Sequence, residues 1–231
     1  MNNILKFVGF LALMCVSIVA SSQISEIKIE FIGNCGLYLT DGNSNIYIDF
    51  PYESGAYNLM EYDLSELDSV KSNPIFIYTH KHADHYSGKL VKKLAKKRDG
   101  EIYSPWNKKE LLNLNDRIKD FHIEAFKTKH LYSINHCSYL ITWHNKKLFI
   151  SGDTEHAETI ATFKDIEWAF IPVWIITDAK EKGIKLSDVS MMFAIYHIAP
   201  RHHITSEDNN PRIKLLNKPG ERITISGSLN L

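Results

Sequence analysis

The sequence predicts a layered α/β fold in which short early strands are followed by strands mixed with helices. Glu26–Ile32 alternates polar and apolar residues, as a half-buried strand does, and Pro74–Tyr78 is a short apolar run typical of a buried strand. No internal period indicates a repeat protein. With 231 residues, the chain is long enough for one domain with a sizeable core.

Turn residues separate the first three strands. Gly33–Gly36 predicts a turn before the strand Leu37–Thr40, and Asp41–Asn45 predicts another before the strand Ile46–Phe50. The residues from Pro51 to Met60 have the composition of a loop. After the buried strand, apolar residues recur at helical spacing in segment 90–98 with basic residues on the opposite side, which predicts an amphipathic helix.

The second half of the chain continues the mixed pattern. The strand Ser138–Trp143 is followed by a turn and by an apolar strand that ends at Asp153. Trp168–Ile176 predicts a further buried strand. Ser187 is a candidate N-cap for a helix that runs toward Ile198.

The segment Thr79–His85 has the sequence THKHADH and combines three imidazoles with a carboxylate. Side chains at alternate positions of an extended chain leave on the same side, so His80 and His82 can converge on one ion. Asp84 and His85 follow after a turn and can face a second ion. Burying four such groups for a purely structural role would cost free energy without apolar compensation, so the segment predicts a metal site.

This H-x-H-x-D-H stretch resembles the motif of the metallo-β-lactamase superfamily of hydrolases, and the resemblance extends from about Ile27 to about His203. It implies a four-layer αββα sandwich with the metals at an edge between two sheets. The strand that ends in Gly152-Asp153 resembles the family strand whose Asp bridges two ions, which assigns that role to Asp153. Lys129-His130 resembles the segment that carries the third imidazole of the first ion; His136 is the competing candidate.

The last ligand expected from the resemblance is a His near the C-terminus. One register, which matches Pro-x-His, selects His202, with His203 next. Another register extends to Ser206 or Glu207, and a carboxylate there would be unusual among these ligands. We take His202 as the candidate.

The resemblance implies a dinuclear site with two divalent ions, for which the imidazole-rich ligand set favours zinc; the carboxylates would also accept manganese or iron. The first ion would have three imidazole ligands, and Asp153 would bridge to the second. The second would be held by Asp84, His85 and His202. A water shared by two cations loses a proton near neutral pH and attacks the substrate. Asp84 is in addition the candidate for handling protons during catalysis.

The expected function is exported, metal-dependent hydrolysis of an ester, lactone or phosphodiester of a small molecule. Asp153 stands where some zinc β-lactamases have Cys, which argues against antibiotics as the main substrate. Tyr52, Tyr57 and Trp174 are candidates to line the pocket, although such aromatics more often lie in the core. The alternatives are a relic metal site and a redox member with two irons.

Residues 1–22 predict a signal peptide, because an apolar stretch too short for a membrane span is followed by Ala20-Ser21-Ser22. The hydrolase domain would then span residues 23–231 in the periplasm or outside the cell, with no stable membrane insertion. Cys15 follows Met14, which is a poor match to a lipidation site. Cys35 and Cys137 could form a disulfide after export or be two small buried residues.

The net charge of the chain indicates which class of partner it binds. The formal net charge is zero, with 27 basic and 27 acidic residues, so no electrostatic footprint for nucleic acid is present. We therefore expect a small-molecule substrate rather than a nucleic acid, and the sequence does not specify an oligomeric state.

Overall fold

The computed structural model describes residues 25–199 and 210–226. The strands in these ranges are β1 (Glu26–Gly33), β2 (Gly36–Thr40), β3 (Asn45–Ile48), β4 (Ile75–Ile77), β5 (Glu101–Tyr103), β6 (Phe121–Lys127), β7 (Cys137–Trp143), β8 (Lys146–Ile150), β9 (Ile166–Pro172), β10 (Ser190–Tyr196), β11 (Ile213–Leu215) and β12 (Arg222–Ser226). The α-helices are α1 (Glu66–Ser69), α2 (Gly88–Arg98), α3 (Lys108–Leu111), α4 (Ala157–Ala161) and α5 (Trp174–Glu181).

The strands form two mixed sheets of six strands each. The first sheet has the order β12-β1-β2-β3-β4-β5, and the second has the order β11-β10-β9-β8-β7-β6. Strands β3, β4 and β5 run parallel, as do β8, β9, β10 and β11, while the remaining pairs are antiparallel. Parallel neighbours bring their carboxyl ends to one edge of each sheet.

Four layers result from the alternation of side chains along the strands. In β4, Ile75 and Ile77 pack into the core between the sheets, whereas Phe76 packs on the opposite face with Val91 and Leu94 of α2. The outer face of the second sheet is covered in the same way by α4 and α5. The predicted αββα architecture is therefore confirmed.

Two predicted elements are wrong. The strand predicted for Trp168–Ile176 ends at Pro172, and its last residues begin helix α5. The helix predicted from Ser187 to Ile198 is instead a single 3-10 turn, Leu186–Asp188, followed by strand β10. A short apolar run does not distinguish a buried strand from a buried helix, and the parallel pairing of β10 with β9 decides the outcome.

The predicted signal peptide, residues 1–22, lies outside the described residues. Within residues 25–199 and 210–226, no helix has the length and apolar character needed to span a bilayer.

Candidate metal centre

The candidate ligands lie just beyond the carboxyl ends of strands, at one edge of the two sheets. His80 follows β4, Asp153 follows β8, and His197 follows β10. The carboxyl ends of these strands are buried, and each candidate ligand lies in the segment that leaves the sheet immediately beyond them. Hydrogen bonds to a neighbouring chain segment hold two of these ends: Cys137 N donates to Thr79 O, and His197 N donates to Asn34 O.

The first cluster consists of His80, His82 and His130, with one ring nitrogen of each within 4.8 Å of the others. His130 Nε2 lies 3.1 Å from His82 Nδ1. His80 is fully buried, and burial lowers the pKa of its imidazole well below its ordinary value. A neutral imidazole keeps a lone pair, which is the form that binds a metal. The cluster can therefore hold one cation with three nitrogen ligands.

The second cluster contains His85, Asp153 and His197, together with the thiol of Cys35. The Oδ2 atom of Asp153 lies 3.1 Å from His85 Nε2 and 3.2 Å from His197 Nε2. Asp84 adjoins this cluster, with its Oδ2 3.0 Å from His197 Nε2 and 3.6 Å from His85 Nε2. Two carboxylates and two imidazoles thus converge in a buried space.

Asp153 lies between the two clusters. The same Oδ2 atom that contacts His85 and His197 is 3.9 Å from His130 Nε2 of the first cluster. Burial opposes the charge of Asp153, but His197 and His85 outweigh it and hold the pKa of this carboxyl well below its ordinary value. Asp153 is therefore an anion placed where a bridging ligand is needed.

His136 hydrogen-bonds to the backbone of Asp153 and does not belong to either cluster of candidate ligands. Its Nε2 accepts a hydrogen bond from Asp153 N at 2.8 Å, and its Nδ1 lies 2.7 Å from Thr128 Oγ1. Burial lowers the pKa of His136 to about 3, consistent with a neutral ring whose Nε2 accepts. With both ring nitrogens engaged, His136 positions Asp153, whereas His130 faces the cluster.

Gly152 allows the His136 ring to lie against the backbone that carries Asp153. Its φ is +57°, and a Cβ at this position would lie 2.6 Å from His136 Nε2. A larger residue would therefore separate the His136 ring from the backbone that carries Asp153.

Asp49, which the sequence did not single out, orients the imidazole of His85. It follows β3, is 1% exposed, and its Oδ2 lies 2.9 Å from His85 Nδ1. Thr79 donates to the same carboxylate from its backbone N–H and from its hydroxyl, both at 2.7 Å. With Nδ1 engaged by the Asp49 carboxylate, Nε2 is the ring nitrogen of His85 that faces the cluster.

The hydroxyl of Thr79 orients the imidazole of His80 in a similar way. Its proton is given to Asp49, so it accepts from His80 Nδ1 at 3.0 Å. Glu155 does the same for His130, whose Nδ1 lies 3.2 Å from Glu155 Oε1. Backbone Leu131 N also donates to that oxygen at 2.9 Å. Three candidate ligand imidazoles therefore have their second nitrogen fixed by a hydrogen-bond partner, as metal-binding histidines usually do.

Two buried atoms test whether this donor set fits cations. Within the described part of the chain, His80 Nε2 and His85 Nε2 are buried and make no well-formed hydrogen bond, although Asp153 Oδ2 lies 3.1 Å from His85 Nε2. Leaving a polar atom buried and unpaired costs about 1–3 kcal/mol. Both atoms point toward the other ligand atoms, so a cation at each cluster would satisfy them, and the residues fit a metal site.

His202 and its alternatives, His203 and Glu207, lie outside the described residues, so this choice of last ligand stays a prediction. The structure instead places His197 in the second cluster. The charge of Asp153 and the hydrogen bonds that His197 donates to Asp153 and Asp84 overcome the effect of burial and raise the pKa of His197 to about 9. The prediction of a helix toward Ile198 concealed this residue, which in the structure directly follows the strand β10.

The predicted pocket aromatics have different environments. Tyr52 is buried in the core, where its hydroxyl donates to Met60 O, and Tyr57 is mostly exposed. Trp174 packs edge-on against His197 with ring centroids 4.8 Å apart, and its Nε1 donates to Thr154 O at 3.0 Å. Trp174 alone of these three contacts a candidate ligand.

Cys35 and Cys137 are both buried, and no disulfide joins them. Burial raises the pKa of the Cys35 thiol well above its ordinary value. The disulfide considered from the sequence is therefore not formed.

Comparison of the structure with solved structures identifies the fold. Igni18, described as a metallo hydrolase from the archaeon Ignicoccus hospitalis, superposes with a TM-score of 0.65 at 17% identity, covering 87% of this chain and 98% of that chain. YhfI from Bacillus subtilis, described as a metallo-β-lactamase fold protein, superposes with a TM-score of 0.58 at 15% identity, covering 86% and 99%. The chain has the metallo-β-lactamase fold. A scan of the sequence against protein-family models finds no match.

Proteins with the metallo-β-lactamase fold do not share one chemistry. CmlA from Streptomyces venezuelae, described as a diiron β-hydroxylase, superposes with a TM-score of 0.57 at 10% identity, covering 87% of this chain and 54% of that chain. The fold alone therefore does not identify the metal, and the donor atoms of this chain must be considered for that purpose.

Proposed function

We propose that the protein is a hydrolase that binds two divalent metal ions, most simply zinc, and cleaves an ester, lactone or phosphodiester of a small molecule. The observation that carries the proposal is the position of Asp153 Oδ2 between the two clusters, 3.1 Å from His85 Nε2 and 3.9 Å from His130 Nε2. A single buried carboxylate oxygen shared by two imidazole clusters suits two cations held close together. The similarity to metal-dependent hydrolases of the same fold supports the proposal.

His80, His82 and His130 would hold the first ion, and Asp84, His85 and His197 the second, with Asp153 between them. When bound, the two ions lower the pKa of a shared water and polarise the carbonyl or phosphoryl oxygen of the substrate. The ligand set determines metal preference: imidazole nitrogens suit zinc, and a carboxylate-rich second site also accepts manganese or iron.

Asp84 has a second task in this proposal. Asn34 Nδ2 donates to its backbone oxygen at 3.0 Å and to its Oδ2 at 3.3 Å, which fixes the carboxylate beside His197. Burial opposes the charge, but the hydrogen bond from His197 and the charge of His85 lower the pKa of Asp84. An ionised carboxylate can take a proton from the attacking water and deliver it to the leaving-group oxygen.

The loop 131–134, between His130 and His136, bears on the substrate. Leu131, Tyr132 and Ile134 expose 58%, 91% and 87% of their surface. Because His130 and His136, on either side of the loop, lie at the metal centre, we infer that these side chains lie beside the bound substrate. A substrate with an apolar group is therefore favoured over a fully polar one.

The experiment that tests the proposal is hydrolysis by the full-length protein, stripped of metal and reloaded with zinc, manganese or iron. Chromogenic carboxylic esters, lactones of increasing acyl length and a bis-aryl phosphodiester cover the three classes. We expect turnover of at least one class with two ions bound, and loss of it in Asp153→Ala. Asp178→Ala on the outer helix α5 is the control, because Asp178 contacts Lys182 at 2.8 Å and no candidate ligand.

Retained turnover in Asp153→Ala, or absence of hydrolysis in every class with both ions bound, would contradict the proposal. A redox function is the second candidate, supported by the similarity to a diiron β-hydroxylase. Purification with two irons and no hydrolysis of any class would favour it.

We further propose that the protein acts outside the cytoplasm after removal of residues 1–22. The support is the leader-like sequence of that segment. Cell fractionation of the full chain and of a variant lacking residues 1–22 tests this. Equal distribution of the two between fractions would contradict export.

A further inference from the structure

Cys35 lies in the tight turn between β1 and β2, beside the second cluster. It is 1% exposed, and its Sγ lies 4.0 Å from Asp153 Oδ1. Its thiol and the ligand atoms of His85, Asp153 and His197 all lie within 4.8 Å of one another. This set of four donors is complete for a tetrahedral site without Asp84.

The turn that carries Cys35 is fixed against the ligands on both sides. Asn34, the preceding residue, accepts a hydrogen bond from His197 N at 3.1 Å through its backbone oxygen. Its side-chain amide donates to Asp84 O at 3.0 Å. Gly36 follows, and a Cβ there would lie 3.1 Å from Gly33 O, so the turn is closed tightly. The thiol therefore has a set position relative to the second cluster.

A second, independent observation indicates a ligand at this place. His85 Nε2 is buried and makes no well-formed hydrogen bond among the described residues, although Asp153 Oδ2 lies 3.1 Å from it, and it belongs to the same group of donor atoms as Cys35 Sγ. Sulfur and oxygen bound to one zinc ion are at most about 4.5 Å apart, and the 4.0 Å between Sγ and Asp153 Oδ1 fits this limit.

We propose that Cys35 is a thiolate ligand of the second metal ion. This rests on the proposed metal-dependent function and deepens it by giving the two sites different ligand chemistry. The first site has three imidazoles, whereas the second combines a soft thiolate with imidazoles and carboxylate. Thiolate ligation favours zinc, cobalt or cadmium at that site over manganese or magnesium. The sulfur–metal bond forms as the thiol releases its proton to solvent.

Cobalt(II) is the probe, because thiolate–cobalt bonds produce a sulfur-to-metal charge-transfer absorption in the near ultraviolet. The full chain has three cysteines, Cys15, Cys35 and Cys137. The variant Cys15→Ser/Cys137→Ser therefore leaves Cys35 as its one thiol. The wild-type protein, this variant, and single variants Cys35→Ser and Cys35→Ala are stripped of metal, loaded with cobalt and compared by absorption and by bound-cobalt count.

We expect the charge-transfer band in the wild-type protein and in the double variant, and its loss in both Cys35 variants while they remain folded by circular dichroism. X-ray absorption of the zinc-loaded double variant should show a sulfur neighbour at about 2.3 Å. This second measurement does not depend on whether a Cys35 variant folds.

Two bound cobalt ions without the band in the double variant would overturn the thiolate ligand and leave the proposed function intact. So would a band that persists in Cys35→Ser. No bound cobalt in the wild-type protein would instead overturn the metal-dependent function itself. The two failures are therefore distinguishable.

Discussion

Asp49→Asn tests whether the hydrogen-bonded layer behind the ligands sets metal affinity. In the structure, Asp49 Oδ1 accepts from Thr79 N at 2.7 Å, and Oδ2 accepts from Thr79 Oγ1 at 2.7 Å and from His85 Nδ1 at 2.9 Å. If the amide oxygen of the substituted side chain stays on Thr79 N, its NH₂ group faces His85 Nδ1. Two donors then meet, so the proton of the imidazole moves to Nε2 and removes the lone pair from the second metal site.

The expected magnitude follows from that loss. Removing the partner that orients a metal-binding histidine lowers metal affinity about 10–100-fold. This corresponds to about 1.4–2.8 kcal/mol in binding free energy. The first ion should be affected less, because Asp49 reaches that cluster only indirectly, through the Thr79 hydroxyl that lies 3.0 Å from His80 Nδ1.

Asp41→Asn is the matched control. Asp41 also accepts two backbone N–H groups, from Asn43 and Ser44, and its Oδ2 lies 3.1 Å from His144 Nε2. It lies in the turn before β3, at the opposite end of that strand from Asp49. The control therefore removes a comparable buried carboxylate–histidine contact without touching the metal centre.

The assay is competition of the metal-free full-length protein with a chromophoric chelator for zinc, with thermal unfolding as the check on folding. We expect weakened binding of one ion in Asp49→Asn and unchanged binding of both ions in Asp41→Asn. Wild-type affinity for both ions in a folded Asp49→Asn protein would refute the reasoning. Equal loss in both variants would show that general destabilisation, rather than the orientation of His85, causes the effect.

The remaining predictions concern the support of Asp153 and the metals themselves. His136→Ala should lower the metal count and the melting temperature, since Asp153 N is left buried and unpaired at a cost of about 1–3 kcal/mol. His136→Gln should recover part of both losses. Wild-type metal content in His136→Ala would contradict this prediction. Gly152→Ala should lower the free energy of unfolding by about 1–2 kcal/mol from the left-handed backbone alone. The 2.6 Å contact of the new Cβ with His136 Nε2 should lower it further. Chemical denaturation measures this, and an unchanged midpoint would contradict the prediction. Chelation of both ions should lower the melting temperature, because a ligand at 100 times its Kd stabilises by about 2.7 kcal/mol; an unchanged melting temperature would argue against metal binding to the folded state.

Local patterns predicted much of the first sheet and identified candidate ligands that adjoin its strands. Alternation in Glu26–Ile32 and the apolar run before His80 are properties of a few consecutive residues, and each corresponds to an observed strand. The pairing of His80 with His82 also depends on local spacing alone.

Features that depend on contacts between residues far apart in the chain could not be predicted from local patterns. Strand β10 is apolar over most of its length because it is buried between layers, so its pattern also suits a helix, and only its pairing with β9 decides. The role of Asp49 depends on contact with His85, 36 positions later in the chain. Cys35 approaches Asp153 across 118 positions, and nothing in the residues around it indicates that contact.

Metal content of the purified full-length protein, measured by elemental analysis, tests the central claim most directly. The comparison is between the wild-type protein, His197→Ala and His202→Ala. We predict about two ions in the wild-type protein and about one in His197→Ala, because His197 Nε2 lies 3.2 Å from Asp153 Oδ2. A lower count in His202→Ala as well would identify the ligand predicted from the sequence as a further one. Fewer than about two ions in the wild-type protein, or an undiminished count in His197→Ala, would contradict a dinuclear centre with His197 as a ligand.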